Sequence, residues 1–174
     1  FPSTTLFRSK RAVDLLDPMG RDYILDVATG TCDIVIEIAS RNLSVQIFGI
    51  DFSQRMLDLG RTKVTQNNYD KSISFQIGSG EYLPFANESF DGVICAFGIR
   101  NFANVQLGLR EFYRVLKPGG RIVILEFSGP KNQFLNTVYE RSEEHTSELQ
   151  SHLYRVCRLL LEQHNTDHHC SRVS

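Results

Sequence analysis

No apolar run in this 174-residue chain approaches the ~20 residues a membrane-spanning helix requires. No charge dominates either: 19 Lys and Arg stand against 20 Asp and Glu, a net charge of −1, which argues against a protein held to nucleic acid by its charge. The four cysteines, Cys32, Cys95, Cys157 and Cys170, are scattered and have no framework spacing. With no secretory leader before them, a reducing, intracellular compartment is expected. Internal repeats and low-complexity linkers are missing. What is present is ordinary globular material, 41% hydrophobic and 22% charged, in a length that suits one domain.

The distribution is less ordinary than the average. All 12 glycines and all 5 prolines fall within residues 1–140, whereas all five histidines (His145, His152, His164, His168, His169) fall within 141–174. Arg141-Ser142-Glu143-Glu144-His145-Thr146-Ser147-Glu148-Leu149-Gln150-Ser151 resembles one translated frame of a common short-read sequencing adapter, and Val156–Glu162 its continuation. Residues 1–9 resemble the partner adapter, and the first residue is Phe1, not Met. The expectation is therefore of foreign ends, 1–9 and 141–174, that pack against nothing, the tail disordered, around a domain at 10–140. Cys157, His164, His168, His169 and Cys170 have ligand types suited to zinc. In such a tail they are expected to be accidental, and no metal is assigned.

Within 10–140 apolar runs alternate with helical patterns. Strands are predicted at 23–28, 44–51, 73–77, 90–96 and 121–127. Helices are predicted at 32–40, at 54–67 after a Ser53 cap with Met56, Leu57 and Val64 facing inward, and at 105–116, ended by Pro118-Gly119-Gly120. Strands separated by helices imply a parallel sheet with right-handed crossovers, an α/β fold.

Ligands of such sheets sit beyond the carboxyl ends of the strands. The candidates are therefore Asp26 and Thr29-Gly30-Thr31 after strand one, Asp51 ending strand two, Ser79-Gly80-Glu81 after strand three, and Ala96 with Phe97-Gly98-Ile99-Arg100-Asn101 after strand four. A carboxylate at Asp51 can accept both hydroxyls of a ribose. Jointly these residues point to an adenosine-containing cofactor. The dinucleotide fingerprint is broken, since Ala28-Thr29-Gly30-Thr31-Cys32-Asp33 lacks the third glycine. Tyr113-x-x-x-Lys117 has the spacing of short-chain dehydrogenases, but Lys117 abuts Pro118 at a helix end and Tyr113 is expected to pack.

The stretches Leu25–Asp33, Gly49-Ile50-Asp51-Phe52-Ser53-x-x-Met56-Leu57, Gly78-Ser79-Gly80-Glu81-x-Leu83-Pro84-Phe85, Ser89-Phe90-Asp91, Phe97-Gly98-Ile99-Arg100-Asn101-Phe102 and Arg114–Ser128 together resemble a known family. It is that of the class I S-adenosylmethionine-dependent methyltransferases and, within them, the ubiquinone/menaquinone biosynthesis C-methyltransferases. The resemblance implies a Rossmann-like, mostly parallel sheet in the order 3-2-1-4-5, truncated before the family's last two strands. It implies methyl transfer from S-adenosylmethionine to a ring carbon of a polyprenylated quinol, either demethylmenaquinol or a benzoquinol precursor of ubiquinol. The setting implied is the bacterial cytoplasm, with peripheral contact to the inner membrane through the lipid substrate, and without nucleic acid or metal.

By the same resemblance Gly30 and Thr31 lie along the cofactor's methionine and sulfonium, Asp51 holds the ribose hydroxyls, Ser79 and Gly80 contact the adenine, and Asp26 and the Ala96 backbone complete the cofactor site. Arg100 and Asn101 serve the quinol: guanidinium stays protonated, so Arg100 stabilises the developing oxyanion or orients a water. Cys32 stands where the family has glycine, which places a side chain against the cofactor. Ser79 replaces the usual Asp or Asn and weakens the bond to the adenine amine. Another small-molecule methyltransferase, and a fragment without turnover whose strand at 121–127 is left as a bare edge, remain as alternatives.

Overall fold

The alternating apolar runs become parallel strands, and the computed structural model describes residues 2–41, 44–127 and 156–161, with side chains over 9–41 and 44–126. The elements are α1 (Pro2–Leu16), β1 (Tyr23–Val27), α2 (Asp33–Ser40), β2 (Gln46–Asp51), α3 (Gln54–Gln66), β3 (Ile73–Ile77), β4 (Phe90–Ala96), a 3-10 turn (Ile99–Asn101), α4 (Val105–Val115), β5 (Leu116–Phe127) and β6 (Val156–Leu161). The sheet order is β3-β2-β1-β4-β5-β6 and every pairing is parallel. The expected order 3-2-1-4-5 is thus present, in an α/β fold.

Two expectations about the ends are corrected. The strand β6 pairs with β5 from Ile122↔Val156 to Phe127↔Leu161, so β5 is not an edge. An apolar strand with unpaired N–H and C=O groups is a template for further pairing. Val156, Cys157 and Leu159-Leu160-Leu161 supply the apolar residues of this strand. At the other end, residues 2–9, expected to pack against nothing, begin α1, and Ser9 among them is buried, as are Ala12, Val13 and Leu16 of the expected domain. Arg121 donates to the carbonyls of Leu16 and Asp17 (both 3.0 Å), and Arg41 pairs with Asp14 (2.8 Å), so α1 is tied to β5 and α2.

Side-chain alternation along the strands makes two apolar layers. Ile24, Ile94, Val123 and Leu125 face α1, α2 and α3, where Ala12, Val13, Val35, Ile38 and Val64 meet them. Leu25, Val27, Val93, Cys95, Ile122 and Ile124 face α4, which contributes Phe112 and Val115. Helix starts follow from their caps: Ser53 Oγ accepts from Met56 N–H (3.4 Å) and Asn104 Oδ1 from Leu107 N–H (3.1 Å). On α3 Leu57 and Val64 are buried as expected, but Met56 is 42% exposed and does not face inward.

The amino edge of the sheet is closed by polar bonds. Asp91, at the start of β4, accepts from Lys117 Nζ (2.8 and 2.9 Å) and from the Tyr23 N–H (2.9 Å), linking the starts of three strands. Burial pushes the Asp91 carboxyl up, but the Lys117 ammonium and the Tyr23 amide outweigh it and hold it below the usual carboxylate range. Tyr113, expected to pack, is 42% exposed and shares a cavity of about 270 Å³ with Lys117 and Glu88 at this edge. No dehydrogenase-type pair forms, because Lys117 is taken up by Asp91.

Candidate functional site

The loops after β1, β2, β3 and β4 converge at the carboxyl edge, where parallel α/β sheets place their ligands. A cavity of about 170 Å³ opens there, lined by Ala28, Asp51, Phe52, Gly78, Ser79, Gly80, Glu81, Gly98, Asn101 and Phe102. Six sequence candidates are brought together in it: Asp51, Ser79, Gly80, Glu81, Gly98 and Asn101. Asp26, Gly30, Thr31, Ala96 and Arg100 do not line it.

Asp51 is 5% exposed, and each carboxylate oxygen is held from behind. Oδ2 accepts from the Gly30 N–H and Oδ1 from the Ser53 N–H, both at 2.8 Å. Charge-assisted bonds of this kind fix a carboxylate in one orientation while leaving it lone pairs for further donors. Gly30, at φ 54°, therefore acts by aiming the acid. Thr31 does not line the cavity; its hydroxyl donates to Asp33 (3.0 Å) and accepts from Lys63 Nζ (3.1 Å), joining the start of α2 to the end of α3.

Asp26 lies beneath the loop. Its Oδ2 accepts from the Thr29 hydroxyl at 2.7 Å, and burial, with a smaller contribution from the Asp51 charge, raises its pKa to about 7 against the restraint of that bond. Cys32 also points inward. Its φ of 68° turns the thiol under the loop, 3.9 Å from Thr29 Oγ1 and 3.8 Å from the Gly30 carbonyl. A Cβ at Gly60 on α3 would lie 2.1 Å from that sulfur, so glycine there is what admits the thiol. The expectation that Cys32 crowds the cavity is corrected: the residue is wholly buried away from it, and burial pushes its thiol up to about 12.

The far wall is Phe102, which sequence reasoning missed because an apolar side chain carries no chemical signal. Its ring sits between Gly80 and Gly108, where added Cβ atoms would lie 2.3 and 2.4 Å from it. Glu81 straps this wall to the loop after β3: it accepts from the Asn104 N–H (2.5 Å), and its own N–H donates to Ser79 Oγ (3.2 Å). Phe52, 70% exposed, forms the opposite lip beside Asp51. Arg100 lies on the 3-10 turn between the lining residues Gly98 and Asn101, paired with Glu126 Oε1 at 3.0 Å.

No group of three or more His, Cys, Asp or Glu able to hold a metal occurs among the described residues. The ligand-type side chains of Cys157, His164, His168, His169 and Cys170 lie outside the described ones. Among the described residues no helix is long and apolar enough to cross a membrane.

Comparison with known proteins follows the same lines. The model of the ubiE/COQ5 methyltransferase family matches residues 4–148. A ubiquinone/menaquinone biosynthesis C-methyltransferase of Geotalea daltonii is 53% identical over 123 residues, 70% of this chain and 52% of that relative. A demethylmenaquinone methyltransferase of Porphyromonas gingivalis is 46% identical over 122 residues, 70% of this chain and 50% of its own length. The chain thus spans about half the length of the curated relatives it matches. The YcgJ protein of Bacillus subtilis shares the fold, with a TM-score of 0.67 at 22% identity over 79% of this chain and 58% of that one.

Proposed function

Because the chain belongs to the ubiE/COQ5 methyltransferase family, we propose that its carboxyl-edge cavity binds S-adenosylmethionine and serves methylation of a ring carbon on a polyprenylated quinol. The observation that carries the reading is Asp51, a buried carboxylate on the cavity wall, aimed by two backbone amides.

The residues fit the cofactor's chemistry. A carboxylate suits the paired ribose hydroxyls, and Ser79 and Gly80 offer a hydroxyl and a close backbone approach to the adenine. The Phe52 and Phe102 rings give the cavity apolar walls. At about 170 Å³ it is smaller than the ~300–1,000 Å³ typical of whole-ligand sites, so it accommodates part of the cofactor.

When bound, the cofactor supplies a methyl group already activated by its sulfonium. The chain's own residues hold and orient. Asp51, set by Gly30 and Ser53, fixes the sugar, and positioning supplies much of the rate of an in-line displacement. Arg100 and Asn101 donate to the quinol oxygen as its proton leaves, so that charge develops against fixed donors. The lipid quinol brings the protein to the surface of the inner membrane from the cytoplasmic side. Adapter origin of 1–9 and 141–174 remains part of the proposal, and recovery of the same codons from an independently prepared genomic clone would sink it.

Calorimetry of the 174-residue chain with S-adenosylhomocysteine tests the site. Asp51→Ala removes an ionised acceptor worth ~1.5–3 kcal/mol per hydrogen bond, so affinity is expected to fall at least tenfold. A chain that binds no S-adenosylhomocysteine, or an Asp51→Ala chain of unchanged affinity, overturns the reading.

A further inference from the structure

We propose that Glu126, near the end of β5, is a positioning residue that holds the Arg100 guanidinium on the turn bordering the cavity, where that cation stabilises the ionised oxygen of an aromatic hydroxyl substrate. The proposal rests on the quinol reading above and deepens it.

The pair is asymmetric. Its distance is 3.0 Å, but the Arg100 side chain is 51% exposed and that of Glu126 only 6%. Exposed pairs between two mobile side chains hold little, because both ends must be frozen. Here one end is already fixed. Glu126 belongs to the sheet face of Ile122 and Ile124, and its neighbour Leu125 accepts from the Phe97 N–H at 2.7 Å. The strand end is thereby bonded to the segment that leads into the turn at Ile99–Asn101. Positional information runs from the buried carboxylate to the half-exposed cation. The Phe97 ring adds a second support, 6.0 Å from Arg100 Cζ to its centroid.

The chemistry needs such an anchor. A guanidinium carries five N–H donors in a rigid fork, more than one carboxylate takes up, so it can bridge a fixed acid and a substrate oxygen. Gly98 and Asn101, on either side of Arg100, both line the cavity. As the hydroxyl gives its proton to water, the oxygen left behind accepts from Arg100.

The probe is 1-naphthol, whose absorbance distinguishes the hydroxyl from the naphtholate. It is titrated with pH against the full chain saturated with S-adenosylhomocysteine. Bound to the unaltered chain it is expected to ionise at a pH about 1–3 units lower than free, as a nearby opposite charge dictates. Arg100→Met abolishes that lowering. Glu126→Gln keeps shape but not charge and is expected to reduce the lowering to less than half, and Glu126→Asp to restore part of it. Affinity for S-adenosylhomocysteine stays within twofold in all three.

The sign separates positioning from a field effect. If Glu126 acted only through space, removing its negative charge would make naphthol ionise at a still lower pH, and that result overturns the proposal. So does an unchanged titration in Glu126→Gln or, should that variant not fold, in Arg100→Met. A chain that binds S-adenosylhomocysteine but leaves 1-naphthol at its free value refutes this inference while the cofactor reading stands. A chain that binds neither overturns both.

Discussion

Replacing Asp26 with asparagine is expected to make the protein more stable above pH 7 and to leave its stability near pH 4 almost unchanged. The carboxyl is fully buried on β1, and its pKa stands at about 7 in the fold against ~3.9 in an unfolded chain. Between those values the folded state holds a proton that the unfolded state has released, so stability falls as pH rises through the window. Above pH 7 the fold carries a buried charge whose cost, at 1.36 kcal/mol per unit over about three units, is on the order of 4 kcal/mol. Asparagine keeps an acceptor for the Thr29 hydroxyl and never ionises. Urea unfolding of both proteins, followed by circular dichroism from pH 4 to 8, gives a difference curve in which the histidines of the tail and the surface carboxylates cancel. It should rise from near zero to about 2–4 kcal/mol in favour of Asp26→Asn. A flat difference curve would refute the reasoning, because it would mean that Asp26 is charged in the fold at acid pH or stays hydrated.

Two further outcomes follow from packing and charge. Gly60→Ala is expected to cost about 1–3 kcal/mol, since its new methyl would overlap the Cys32 sulfur. In a Cys32→Gly background most of that cost should vanish, and Cys32→Gly alone should leave S-adenosylhomocysteine affinity within about twofold; melting curves for the cycle and calorimetry check both, and additive losses or a tenfold tighter complex would contradict the inward thiol. Lys117→Met should lower stability at neutral pH by about 1 kcal/mol, discounted for partial exposure, and less in high salt. Because Asp91 sits below the ordinary carboxylate range, this loss should disappear as pH falls into acid, which unfolding at graded pH and ionic strength would reveal.

The sheet was legible because its apolar runs are short, separated and ended by turn formers. Ile73–Ile77 and Phe90–Ala96 are observed with the bounds expected. Strand-end logic likewise brought Asp51, Ser79, Gly80 and Asn101 to one cavity. It failed where side-chain direction, and not position, decides. A residue after a strand can face the cavity or turn away from it: Thr31 turns to Lys63 of α3, and Cys32 turns beneath the loop, where a bare Gly60 receives it. Glu126 could have been found by the same rule, since it lies next to the end of β5. Phe52 and Phe102 carried no polar signal. The helix at Pro2–Leu16 was overlooked because compositional resemblance set aside its first residues, although Ala12, Val13 and Leu16 show an apolar face.

The bonds around Asp91 have a bearing beyond stability. They bind β1, β4 and β5 together at the edge away from the cavity, through Tyr23, Asp91 and Lys117, none of which belongs to a cavity loop. The scaffold is therefore separable from its chemistry. Exposed loop positions at the carboxyl edge, such as Phe52 and Tyr82, can change residue type while the opposite edge keeps the strands aligned, and selection for a new substrate need not renegotiate the fold. A lineage that duplicates such a sheet inherits a finished frame with one side open to revision.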